Sequence, residues 1–349
     1  MKSFFLPLLF VLACVAAAGP TSPVWTKQDS NVSARLRGIS AVSDNVAWAS
    51  GSANTVLRTA DGGANWKKIP LPEQMTAAPL DFRDIDAIDE QTAYLLSIGE
   101  STASRIFKTT DSGAHWMLQY TNPDPKGFLD AMAFWDADNG LVIGDSIDGH
   151  LQILITINGG ASWTKVPDAT LPPALPGEGA FSASGSNIAM IGVNDAWIAM
   201  NARVLHTSDR GKTWSVSTTP IDSSESAGIF SITFRDSSHG VVVGGDYKNE
   251  NAAIDNVAIT ADGGKTWKLI REKGLTGYRS AVKYLPGGGK SMIAVGPTGA
   301  DFSNDDGQTW TALSYAPLNT GFDAISFVRG HTTAWVSGNQ GALAQLKFD

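Results

Sequence analysis

Arginines stand at or just before the start of three apolar, strand-like segments: Arg37 in RGISAV, Arg83 in RDIDAI and Arg279 ahead of SAVKYL. Carboxylates hold comparable places, with Asp84 beside Arg83, Asp130 opening DAMAFW and Asp323 opening DAISFV. Neighbouring polar segments add Asp145, Glu178, Asp246 and the phenol of Tyr247. Guanidinium groups grip carboxylates through paired hydrogen bonds, so a mouth built from these residues suits an ionic or sugar ligand, or a protein partner anchored by arginine. Carboxylate pairs can also split a glycosidic bond, one as acid and the other as base or nucleophile. Two functions therefore stand side by side: a non-catalytic binding or assembly scaffold for an envelope protein or glycan, and a glycoside hydrolase as the alternative. The charges can equally pair with one another and fill a channel with salt links.

Other chemistries find less support. LPGGGKS ends like a phosphate-binding loop, but Tyr284 stands where its first glycine belongs and an apolar strand, MIAVG, follows instead of a helix. GEGAFS around Gly177 lacks the βαβ unit and the last glycine of a dinucleotide fingerprint, with Ser182 in that place. No G-x-S-x-G elbow occurs. His115, His150, His206, His239 and His331 are scattered without metal-ligand spacing, and DADNG at 136–140 places its glycine one position early for a calcium loop. Neither a cofactor nor a metal is expected.

The elements that must position these groups are written in a repeat. TADGGANW, TTDSGAHW, TINGGASW, TSDRGKTW, TADGGKTW and SNDDGQTW carry Asp61, Asp111, Asn158, Asp209, Asp262 and Asp305 at spacings of 50, 47, 51, 53 and 43. That period is one four-stranded propeller blade. The Asp side chain is expected to close the turn by accepting N–H groups two residues on, the following Gly to supply a positive φ, and the Trp to pack between sheets. Apolar first strands precede a second set, from NVAWASG to TAWVSG, of which there are seven against six octets. VWTKQ at 24–28 matches the strand after each octet, so the amino-terminal strand is expected to complete a seventh blade and close an all-β, seven-bladed β-propeller. Long connections at 167–181 and 245–256, with GDSIDGH at 144–150, fall on one rim, where loops on a rigid scaffold carry function.

Composition fits. Only 17% of the 349 residues are charged, with 36 Gly and 11 Trp, which suits short strands and tight turns. A net charge of −8 argues against nucleic acid and anionic membrane as partners. Residues 1–18 read as a secretory signal cleaved after Ala18, leaving 19–349 as one domain without a transmembrane segment, periplasmic or secreted and monomeric. A second reading takes VLAC as a lipobox with Cys14 as the lipid-bearing residue and a lipid-anchored envelope protein as the product, although Leu12 fits that motif poorly. Cys14 is the single cysteine, so a mature chain cleaved after Ala18 has no disulfide.

With these residues in view, the octets are identified as Asp-boxes of the BNR-repeat families, and AWASGSANTVLRTADGGANW resembles the repeat of photosystem II stability and assembly factor-like proteins. LDFRD, DAMAFWDADNG, PGEGAFSASG, IFSITFRDSSHG, VGGDYK and GYRSAV resemble a bacterial exported subgroup, end to end after the signal. That subgroup is loosely labelled oxidoreductase or glycosyl hydrolase, and the resemblance implies no established reaction. Sialidases also carry Asp-boxes, with an arginine triad, a Tyr/Glu pair and an acidic donor. Their R-I-P signature is absent here, and their propellers have six blades.

Overall fold

The computed structural model describes residues 23–73, 78–287, 289–314 and 320–348. The cleavage and lipobox residues, Ala18 and Cys14, lie outside them. Seven four-stranded antiparallel sheets are arranged in a ring as a seven-bladed propeller. The inner strands of blades 1 to 7 are Leu36–Ala41, Asp81–Ala87, Leu129–Phe134, Ile188–Ile191, Ala227–Phe234, Ala281–Tyr284 and Ala324–Phe327. Blade 7 takes its outer strand from the amino terminus: Val24–Gln28 pairs with Leu343–Lys347 in unbroken antiparallel register. Trp25 stacks on Phe322 across that seam at 5.8 Å. The inner strand of blade 4 is the one the sequence pattern does not single out; it follows the long irregular segment that begins at 167.

Each octet is a turn held by a fixed set of bonds. In the first, the Thr59 hydroxyl donates to Asp61 Oδ1 at 2.9 Å and accepts from Gly63 N–H at 3.0 Å. Asp61 Oδ1 also accepts Asn65 N–H at 2.9 Å. The aspartate therefore reaches the N–H four residues on rather than two, and the preceding hydroxyl closes the tighter loop; the pattern recurs at Asp111, Asn158, Asp209, Asp262 and Asp305. Asn158 keeps the acceptor but reverses its second bond, donating Nδ2–H to Ser162 Oγ. Gly63 and its counterparts, such as Gly113, have φ near +85°, a conformation costly for residues with a Cβ. The tryptophans then wedge between blades, with Trp66 edge-on to Trp335 and Trp116 edge-on to Trp48.

A belt of side chain to backbone bonds ties neighbouring inner strands. Ser326 Oγ accepts Ala41 N–H, Ser40 Oγ accepts Ala87 N–H, Asp84 Oδ2 accepts Met132 N–H, and Ser231 Oγ accepts Val282 N–H, all at 2.8–3.0 Å. GDSIDGH is not a loop: Gly140–Ile147 and His150–Thr156 form a hairpin that turns at Asp148 and Gly149, both with positive φ, as a tight Asp-Gly turn requires. The segment at 167–181 remains irregular apart from one short 3-10 turn at Asp168–Thr170.

Candidate functional site

The loops opposite the octet turns surround a cavity of about 960 Å³. What aims side chains into it is a shared irregularity. In blades 1, 2, 3 and 5 the pairing of inner and second strand slips by one residue at the same level, between Leu36 and Gly38, Phe82 and Asp84, Leu129 and Ala131, and Ile229 and Ser231. The skipped residues are Arg37, Arg83, Asp130 and Phe230, and all of them line the cavity. A β-bulge leaves one residue outside the ladder and re-aims it, and such bulges concentrate beside functional sites.

The cavity has three chemical faces. Arg35, Arg37 and Arg83 form the first. Arg35 is held by a bidentate pair with Asp323, at 2.8 and 2.7 Å. Arg83 bonds Asp81 at 2.8 Å and the carbonyl of Ser182 at 3.2 Å. Arg37 has neither a hydrogen bond nor an ion pair to any described residue. Burial, with the like charges of Arg83 and Arg35, lowers its pKa to about 10, so it stays cationic at neutral pH. Asp130 and Asp145 form the second face. Asp130 is 1% exposed, and its Oδ2 has no hydrogen-bond partner among the described residues. Burial raises Asp130 well above the usual carboxylate range and Asp145 to about 6. The third face is aromatic: Phe181 stacks on Phe230 at 4.0 Å, and Tyr247 and Tyr278 meet Phe230 edge-on at 6.3 and 4.6 Å. Tyr247 and Leu175 carry this apolar surface out to the mouth, where both are about half exposed.

Arg37, Arg83, Asp130, Asp145, Glu178 and Tyr247 thus meet at one cavity, while Asp84, Asp246, Arg279 and Asp323 do not line it. Arg279 is 1% exposed and buried against Asp301, which it bonds at 2.7 Å. The reason is register. The N–H groups of Leu36, Ile229, Arg279 and Phe322 all bond the end of the preceding blade's second strand. Arg279 is therefore the counterpart of core residues, one position before those that face the channel, and one position reverses the face. Asp84 belongs to the belt beneath the cavity, Asp323 stands behind Arg35, and Asp246 caps its own turn through Lys248 N–H. Glu178 lines the cavity, yet its carboxylate is committed to a buried two-point pair with Arg203 that also fixes Leu175 N–H. It pins the long loop of blade 4 as the cavity wall rather than offering itself to a ligand.

Residues missed in the sequence are Arg35, Arg203, Phe230 and Tyr278. Arg35 carried a signal, standing two residues before Arg37 and hence on the same face of an extended chain. The others carried none.

Fold and geometry define a BNR-type propeller with a charged and aromatic cavity at one rim. The family model described as photosynthesis system II assembly factor YCF48 matches residues 23–124. The chain is 26% identical over 301 residues to the photosystem II assembly lipoprotein Ycf48 of Synechococcus sp. (strain CC9902), covering 84% of this chain and 79% of that one. Among solved structures, YCF48 bound to D1 peptide superposes with a TM-score of 0.66 at 15% identity, over 95% of this chain and 99% of the other. YCF48 from Cyanidioschyzon merolae gives 0.61 at 17% identity, over 93% and 98%. The GH74 xyloglucanase from Xanthomonas campestris gives 0.62 at 15% identity, over 93% of this chain but 55% of its own. The resemblance to assembly factor-like BNR propellers read from the octets is borne out.

Proposed function

We propose that this protein is an exported, non-catalytic scaffold that captures a segment of a protein partner in the rim cavity, gripping an anionic group of that segment with Arg37. The observation that carries this is Arg37 itself: a partly buried guanidinium, flanked by two arginines, with no partner among the described residues. A charge drawn partly out of water without a partner is costly, so Arg37 is placed to receive an anion rather than to stabilise its surroundings. The adjoining aromatic wall gives the neighbouring part of the segment apolar area to cover, as protein-binding surfaces do. A related propeller has been solved with a peptide bound, which supports the same kind of partner here.

Hydrolysis fits the geometry less well. Glycosidases hold their two carboxyl groups roughly 5 Å or more apart so that the sugar sits between them. Of the cavity's carboxylates, Asp130 is 1% exposed and Glu178 is tied to Arg203, so neither is free to flank a sugar. Export follows from the amino-terminal segment, and the lipoprotein relative favours the reading in which Cys14 carries lipid over cleavage at Ala18.

The test is capture in place. A photo-crosslinking amino acid at position 247, at the cavity mouth, is expected to trap one envelope protein in cells, and Arg37→Ala is expected to abolish the adduct. Mass spectrometry then identifies the trapped segment and the mature amino terminus. An adduct unchanged by Arg37→Ala, or binding to a glycan array with release of sugar, overturns the proposal.

A further inference from the structure

Blade 4 reaches its inner strand through residues 181–186, and the partners of that segment lie on three other blades. We propose that it is a plug across the axial channel, and that its Ser182 carbonyl aims Arg83 at the anion of the bound segment beside Arg37. The second half rests on the reading of Arg37 as an anion site.

The partners fix the path of the segment. Towards blade 2, the Ser182 carbonyl accepts Arg83 Nη1–H at 3.2 Å, and Gly185 lies against Asp84. Towards blade 6, Ser184 Oγ donates to the carbonyl of Ser280 at 2.8 Å. Towards blade 5, Ser186 Oγ donates to Ser231 Oγ at 2.8 Å, the Ser186 carbonyl accepts Ile232 N–H at 3.0 Å, and Phe181 stacks on Phe230. Blades 2 and 6 have two blades between them one way round the ring and three the other, so a segment tied to both crosses the axis. Ser182, Ser184 and Ser186 are buried there, and short hydroxyls suit the crossing because they pair inside the protein without needing much room. Gly185 is required by both backbone and space. Its φ is +66°, and a Cβ would fall 2.2 Å from Asp84 Oδ1. Asp84 is buried and holds Met132 N–H through Oδ2 at 2.8 Å, so it yields only by breaking that bond.

Phe181, Ser182 and Ala183 line the cavity, which makes the plug its floor. The plug also bears on which cations the cavity offers. Of the four arginines lining it, Arg35 is paired with Asp323 and Arg203 with Glu178. Arg37 and Arg83 remain. Asp130, Asp145, Glu225 and Glu250 line the same cavity and repel an anion, Glu225 having only an exposed contact with Lys248 at 3.8 Å. An anion is therefore held only where the two free guanidiniums converge on it. Arg83 has Nε bonded to Asp81 and Nη1 bonded to the Ser182 carbonyl, which fixes the plane of the group and leaves Nη2 without an acceptor among the described residues. An arginine clamped at two corners has already lost the freedom that binding would otherwise cost. Ser182 is thus a positioning residue, acting through Arg83.

Hydrogen exchange and probe binding on the mature chain test both halves. Gly185→Ala is expected to lift the plug off Asp84, so that amide exchange across 181–187 accelerates about tenfold while the strands of the ring keep their protection. Its affinity for a fluorescein-labelled Glu-Leu-Asp-Leu tetrapeptide with a free carboxyl terminus is expected to fall about tenfold, as in Arg83→Ala. Adding Asp84→Ser to Gly185→Ala makes room for the Cβ and keeps an acceptor for Met132 N–H, as Ser231 does for Val282 N–H. That double variant is expected to regain slow exchange and an affinity within about threefold of wild type, a rescue that a generally damaged fold would not show. Ser184→Ala cuts only the tie to blade 6 and shifts both quantities the same way, which covers the case in which Gly185→Ala does not fold. Slow exchange in both single variants overturns the plug. Fast exchange with unchanged affinity overturns the aiming of Arg83. Wild-type protein that binds no probe contradicts the reading of Arg37, and exchange alone then decides the plug.

Discussion

Arg279→Ala is expected to destabilise the fold by about 3–5 kcal/mol, the usual cost of orphaning one member of a buried ion pair. Asp301 is fully buried, and beyond the Arg279 Nε–H it accepts, among the described residues, from the Thr276 backbone N–H and hydroxyl alone. Removing the guanidinium strands a carboxylate and also frees Thr276, Thr298 and the carbonyl of Tyr278, all of which it bonds. Urea denaturation of the purified domain measures the effect. A loss below about 1 kcal/mol, the range of an exposed pair, contradicts the placement of Arg279 in the blade 6 core.

Deleting residues 23–28 is expected to open the ring and remove about 2–5 kcal/mol, from five cross-strand pairs and the Trp25–Phe322 stack. The Leu343–Lys347 strand would become an exposed edge with unpaired backbone groups, so the truncated chain is also expected to associate. Thermal unfolding and sedimentation check both consequences. An unchanged melting temperature with a monomeric profile contradicts closure by the amino-terminal strand.

The blade count and ring closure were legible because they depend on local, repeated chemistry. An octet containing Thr or Ser, Asp, Gly and Trp makes its own turn wherever it occurs, and VWTKQ resembles the strands that follow the other octets. The site was legible only in part. Arg37, Arg83 and Asp130 were found because charge at the head of an apolar strand is unusual, but the bulges that aim them leave no mark in residue type. Arg279 looked equivalent and is not, since a one-residue difference in where blade 6 begins its pairing turns the side chain from the channel to the core. Glu178 and Arg203 are partners through a loop whose path no periodicity encodes. Asp84 was read as part of the mouth and serves instead as a belt acceptor, a place that Ser231 fills in blade 5.

The central claim is that Arg37 is retained for binding rather than for folding, and Arg37→Gln tests it most directly. Titration of a fluorescein-labelled Glu-Leu-Asp-Leu tetrapeptide with a free carboxyl terminus at pH 6, alongside thermal unfolding of the same samples, gives both quantities. The account predicts an affinity loss on the order of 10–100-fold, the worth of a charge-assisted contact, with a melting temperature equal to or above that of the wild type. Unchanged affinity together with early melting would contradict it.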